Sequence, residues 1–234
     1  MKRIATFLAF SLFGFSAMAQ SPAATASSRR GLWVRPAFAI GGGTVVGADF
    51  GANVSTDFSI QISGGVDVGY MFTDKVGLFT GIGIGGYGAS FSSYSYIYKE
   101  ELIASTVYTE IPLYFQFISS HADKTGFFLN VGFKNGFLSG CETQYKMYDG
   151  TGWSTATTND NSDKLYSQYS FSPFTYFGVN IRCGNRVDID LGPEITIQAT
   201  NLFSNNTNGA SGGSVGGHYL LFAFKMGVGI HCTR

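Results

Sequence analysis

The acid–base chemistry open to this 234-residue chain rests on three histidines, His121, His218 and His231. Acyl transfer or deacylation by side chains needs Ser, His and a carboxylate converging at one height. In the strand patterns described below, His121 falls in a turn, and neither His218 nor His231 has a serine two residues away on the same strand face. His231 and Cys232 are neighbours that point oppositely in an extended chain, so they do not form a metal pair. Gly83-Ile84-Gly85-Gly86-Tyr87-Gly88 fits GxGxxG, but that motif works by opening a helix whose N-terminus holds pyrophosphate. Here the glycines continue a strand. No catalytic residue, cofactor site or metal site is expected.

The chemistry-bearing residues that remain are nine isolated charges: Arg35, Asp67, Glu110, Lys134, Arg182, Asp188, Asp190, Glu194 and Lys225. Their surroundings decide what they do. Asp188, Asp190 and Glu194 lie in Val187 to Thr200, about fourteen residues. There Val187, Ile189, Leu191, Ile195 and Ile197 fall on one parity and the acidic and hydroxyl residues on the other. Alternation of this kind is a β-strand with one apolar and one polar face. A tilted strand of about 9–11 residues already crosses a bilayer.

The same pattern recurs along the chain. Strands are expected at about Leu32–Ile40, Phe58–Phe72, Val76 through Phe91, Ile103–Ile118, Phe127 onward, Tyr169–Cys183, Val187–Thr200 and His218–Cys232. Gly41–Asp57, Cys141–Ser167 and Asn201–Gly217 read as long loops; Thr73-Asp74-Lys75, Ser119–Thr125 and Gly184-Asn185-Arg186 read as short turns. Long and short connections alternate, as they do in outer-membrane barrels with short periplasmic turns and longer outer loops. The expected fold is therefore all-β: an eight-stranded antiparallel up-and-down transmembrane β-barrel over residues 31–234.

The polar parity decides between membrane and soluble barrels. A soluble surface carries charge at roughly a quarter of its positions, whereas this chain is 13% charged overall. Its polar parity is mostly Gly, Ser, Thr, Asn, Gln and Tyr, which suits the narrow interior of eight strands. The apolar parity is bulky and uncharged, as contact with hydrocarbon requires. Tyr94, Tyr96 and Tyr98 at one end, and Phe72 and Phe117 at the other, read as aromatic girdles. All nine charges then face the lumen, four positive and five negative. Buried charges must pair, and Glu110 and Lys134, equidistant from Ala122, are expected to face each other. The expected result is a salt-bridged plug; the alternative is an ion-selective pore. Pro36 and Pro193 each lack a donor and predict a bulge or a wet rim.

Residues 1–19 read as an export signal, with Lys2 and Arg3, an apolar run and Ala17-Met18-Ala19 before Gln20. Residues 20–30 read as a flexible leader too polar to pack. Zero formal net charge argues against a nucleic-acid partner. A Cys183–Cys232 bridge is conceivable in an exported chain, but a strand is expected between them. The reading as small apolar residues is preferred.

Gly65 to Leu78, Glu110-Ile111-Pro112-Leu113-Tyr114-Phe115, Phe177 to Ile181 and Val187 to Pro193 together resemble the outer-membrane β-barrel family often called PorT-like or porin-family proteins. The resemblance covers most of the chain after the signal. It implies membrane lipid and the outer-membrane assembly machinery as partners. The last strand resembles the signal that machinery reads, apart from ending on Cys232 rather than an aromatic. Three roles are compatible with it: a closed barrel presenting loops 141–167 and 201–217 to a partner, a small-solute pore, or a lipid-modifying enzyme. The first is preferred.

Overall fold

The computed structural model describes residues 28–47, 54–94, 99–120, 124–148, 150–158, 166–203 and 217–232. The expected signal peptide, most of the leader, Tyr96, Tyr98 and His121 lie outside the described residues. Ten strands follow in order: β1 (Gly31–Val46), β2 (Val54–Asp57), β3 (Ser59–Met71), β4 (Val76–Tyr94), β5 (Lys99–Ile118), β6 (Gly126–Tyr148), β7 (Trp153–Thr158), β8 (Tyr169–Cys183), β9 (Val187–Ile197) and β10 (His218–His231). β2 continues the line of β3 beyond Phe58, and β7 folds back on β6. The remaining neighbours run antiparallel around a ring. β1 pairs with β10 from Trp33↔His231 to Val46↔His218, which closes the barrel at eight strands.

The pleat gives the barrel its two faces. Ile82, Phe115 and Phe224 point outward and are 62%, 51% and 58% exposed, whereas Gln116 and Asp190 are fully buried. Leaving one large apolar side chain in water forgoes about 1.5–3 kcal/mol. An unbroken belt of them is stable only against hydrocarbon. Phe72 and Phe117 lie on this outer face near the short turns. Val187 is the exception to the outward set of β9, being buried at the strand end.

The short turns are closed by side chains. Thr73 Oγ1 accepts from the Lys75 and Val76 amides at 3.1 and 3.0 Å, and Ser119 Oγ from the Phe127 amide at 2.9 Å. Gly184 turns the chain with φ +73°, a conformation that disfavours any Cβ.

Three expectations about connections need correction. Gly41 to Val46 is strand, not loop: a Cβ on Gly41 would lie 2.0 Å from the Phe222 carbonyl oxygen, so close approach to β10 selects glycine there. Cys141 to Tyr148 extends β6, and Trp153 to Thr158 returns as β7, so most of the expected 141–167 loop is a hairpin. β5 likewise begins at Lys99 rather than Ile103. Beyond the membrane both faces of a strand are wet, and the alternation that marks a strand disappears.

The prolines produce neither bulge nor rim. Pairing lapses without a change of register where Pro36 would meet β10 and where Pro193 would meet β8. Pro112 does the same against β4. Each lapse removes the ladder contact its missing N–H would have made. Among the described residues the register shift lies instead between Val107 and Tyr108. β9 and β8 are brought together by Gly192, where a Cβ would sit 1.9 Å from the Phe177 carbonyl oxygen. Gly192→Ala is expected to destabilise the barrel by about 1–3 kcal/mol, read as a lower urea midpoint in lipid vesicles.

Candidate functional site: a charged and aromatic lumen

The inward faces of the eight ring strands contribute to one stacked interior. At the short-turn end Asp188 receives Arg182 Nη1 at 2.7 Å and Arg29 Nε at 3.4 Å. Trp33 closes this layer, its Nε1–H donating to the Arg29 carbonyl at 2.8 Å and its ring stacked on His231. Phe128 and Tyr176 pack edge to face just inside.

The next layer is built on Asp190. It accepts from Asn180 Nδ2 at 2.6 Å and Gln116 Nε2 at 3.1 Å, and pairs with Arg35 Nη1 at 3.2 Å. Arg35 also donates to Gln116 Oε1 at 2.7 Å, while its guanidinium lies 4.6 Å above the Phe79 ring. Asp67 accepts from the Tyr114 hydroxyl at 2.9 Å. Every charge here has a hydrogen-bond partner, which offsets the desolvation cost of burying it.

The third layer is centred on Glu194. Lys134 Nζ reaches Oε1 at 2.6 Å and Lys225 Nζ reaches Oε2 at 2.7 Å, so one carboxylate holds two ammonium groups. Lys134 also lies 3.8 Å from Glu110, which accepts from the Tyr87 hydroxyl. Phe174 flanks both lysines, with centroid distances of 5.3 and 5.6 Å. The expected Glu110–Lys134 confrontation needs correction. Glu110 stands opposite Gly136 and Lys134 opposite Pro112, so the two meet diagonally. Beside this layer lies a cavity of about 40 Å³ bordered by Ser63, Gly65, Asp67, Glu110, Lys134 and Lys225, with room for a few waters.

Above it the lumen turns apolar. Tyr87, Tyr108, Tyr219, Phe91, Val45 and Leu221 form a buried cluster. It is capped by two residues from outside the ring of strands, Tyr166 and Leu202, which are 2% and 0% exposed. Ser167 N–H donates to the Leu202 carbonyl at 2.8 Å and Tyr166 bridges to Phe203, fixing the cap.

Sequence parity identifies the strand residues of this interior. It misses the two ends, which no strand supplies. Arg29 belongs to the segment read as too polar to pack, yet its side chain is fully buried. One signal for it was available. The nine charges sum to four positive and five negative; with Arg29 these lumen charges, among the described residues, become five of each. Asp74, in the turn below, accepts from Ser28 Oγ and the Arg29 amide. Burial acts to raise its carboxyl, but these hydrogen bonds and the charges of Arg30 and Arg29 outweigh it and hold the group below its usual range.

Of the histidines, His218 Nδ1 lies 3.1 Å from the Gln198 carbonyl and His231 Nε2 2.8 Å from that of Arg30. Cys183 and Cys232 are exposed and unbridged, with β9 between their strands.

A family model described as outer membrane protein beta-barrel domain matches residues 19–204. Among solved structures, Neisserial surface protein A (NspA) is 14% identical, with 86% of this chain and 99% of that one covered and a TM-score of 0.40. The outer membrane protein OprG from Pseudomonas aeruginosa is 13% identical, with 89% and 97% covered and a TM-score of 0.40. The N-terminal beta-barrel domain of Pseudomonas aeruginosa OprF is 9% identical, with 87% and 98% covered and a TM-score of 0.39. No curated protein sequence matches the chain.

Proposed function

We propose, for a chain that belongs to the outer membrane protein beta-barrel domain family, a non-catalytic role: a closed barrel in the outer membrane that presents its outer extensions to a protein partner. The observation that carries this reading is the filled lumen. Ionic layers from Arg29 to Lys225 are followed by an apolar layer from Tyr87 to Leu202, and the cavity beside Glu110 and Lys134 has room for a few waters, far less than a solute path. A conducting pore needs a continuous wet channel. Most of these charges are held in ion pairs, Asp67 by the Tyr114 hydroxyl, and together they serve as a plug.

What remains for outside contact is the wall itself. β5, β6 and β7 run past the barrel rim as a sheet whose last strand, Trp153–Thr158, pairs on one side with β6. Among the described residues its other edge has no strand partner, and it carries neither charge nor proline to guard it. An edge of this kind recruits an extended peptide through backbone hydrogen bonds. Membrane lipid surrounds the outer face, and the assembly machinery of the outer membrane inserts the chain.

Purified protein in planar bilayers is expected to show no steady channels; stable conductance would favour the pore reading instead. On intact cells, a photo-crosslinker at Thr155 is expected to yield protein adducts absent from one at lipid-facing Ile111. Equal adducts at both positions would remove the presenting role.

A further inference from the structure

The short-turn mouth of the barrel is built around a guanidinium that no strand supplies. Arg29 lies in the three described residues before β1, and its side chain meets β8, β9 and the two ends of the β5–β6 turn. Nε lies 3.4 Å from Asp188 Oδ2 on β9. Nη1 donates to the Ser120 carbonyl at 3.1 Å. Nη2 reaches the Lys124 carbonyl at 3.1 Å, Asn180 Oδ1 on β8 at 3.0 Å and Ser120 Oγ at 3.5 Å. One carboxylate, one amide oxygen, one hydroxyl and two backbone carbonyls thus ring a planar fork. A compact ammonium with three donors cannot address such a set at once.

These acceptors do not depend on Arg29 for their place. Asn180 is held by Asp190, Asp188 by Arg182, and Ser120 and Lys124 by each other, Ser120 Oγ donating to the Lys124 carbonyl at 2.7 Å. Removing the Arg29 side chain would leave the receptor standing and the lumen one positive charge short. The segment itself is tied down by separate contacts, from Ser28 and the Arg29 amide to Asp74 and from Trp33 to the Arg29 carbonyl.

We propose that the mouth is a guanidinium-binding site occupied in cis by Arg29, so that residues 28–30 act as a latch across it. When vacated, the site takes a guanidinium from another source, such as an arginine side chain. The test uses Arg29→Ala in a Trp153→Phe background, where Trp33 is the remaining tryptophan and reports on the mouth. Urea unfolding in lipid vesicles is followed by its fluorescence, with methylguanidinium or methylammonium added at equal ionic strength. Arg29→Ala is expected to lose stability and to recover it saturably with methylguanidinium. At ten times the dissociation constant the folding equilibrium constant should rise about 10-fold. Methylammonium should have no such effect, and the chain retaining Arg29, its site filled, should respond to neither. Equal responses to both cations, or equal responses with and without Arg29, would overturn the proposal. If the alanine variant does not fold alone, its folding yield in the two cations is the readout. A yield that methylguanidinium leaves unchanged would overturn the proposal in the same way.

Discussion

Glu194→Ala is expected to cost the barrel about 3–5 kcal/mol, the range for removing one partner from a buried ionic cluster. The size follows from the geometry. Glu194 is the shared anion of Lys134 and Lys225, with both bonds under 2.8 Å, and the carboxylate is 1% exposed. Without it two ammonium groups remain in the interior with one carboxylate, Glu110, at 3.8 Å from Lys134. Equilibrium urea unfolding in lipid vesicles measures the loss. Pairing Glu194→Gln with Lys225→Met removes one charge of each sign and should recover more than half of it, because the excess positive charge is what costs most. A Glu194→Gln variant within about 0.5 kcal/mol of the parent, the usual effect of a neutral surface change, would show that the cluster is hydrated and not a plug.

Leu113→Arg is expected to destabilise the folded barrel by about 2–4 kcal/mol, while Phe117→Arg costs about 0–1 kcal/mol. Both residues point outward from β5, at 38% and 45% exposure, so a soluble protein would tolerate arginine equally at either. The hydrocarbon makes the difference. Leu113 lies four residues farther from the turn, within the barrel wall and facing Phe133 and Thr80, whereas Phe117 lies beside the turn, facing Val76 and Leu129. Near the turn a long guanidinium reaches the interface, and at mid-depth it cannot. The measurement is the same unfolding series in vesicles of fixed thickness. Equal costs at both positions would mean that the apolar belt is not a lipid contact.

The fold was legible because a strand in this setting has one rule for each face. Ile189 and Leu191 against Asp188 and Asp190 state that rule in four residues, and most other barrel strands repeat it. Parity also survives small errors of register. The β5–β6 turn was centred on Ala122, whereas Ile118 pairs with Phe128, so opposite partners moved by two residues and side chains kept their face. What parity cannot give is contact across the lumen. Arg35 with Asp190, and Lys134 with Glu194, join strands that are not adjacent in the sheet, and their meeting depends on how the strands are staggered around the ring. Nor can it give Arg29, Tyr166 or Leu202, which lie outside the periodic strands and are placed by tertiary contacts. The outer hairpin of β6 and β7 was lost for a different reason. Its Thr, Gln, Tyr and Ser residues meet water on both sides, and a pattern needs two environments.

The seam between β1 and β10 joins the start of the cylinder to its finish, Trp33 lying against His231. A nascent chain lacking its last fourteen strand residues would bear two raw borders, each a row of bare amides and carbonyls. Within hydrocarbon such groups cost several kcal/mol apiece. Half a barrel therefore has no resting place in the bilayer, and insertion must wait until synthesis is complete, with the whole polypeptide kept unaggregated in water until then.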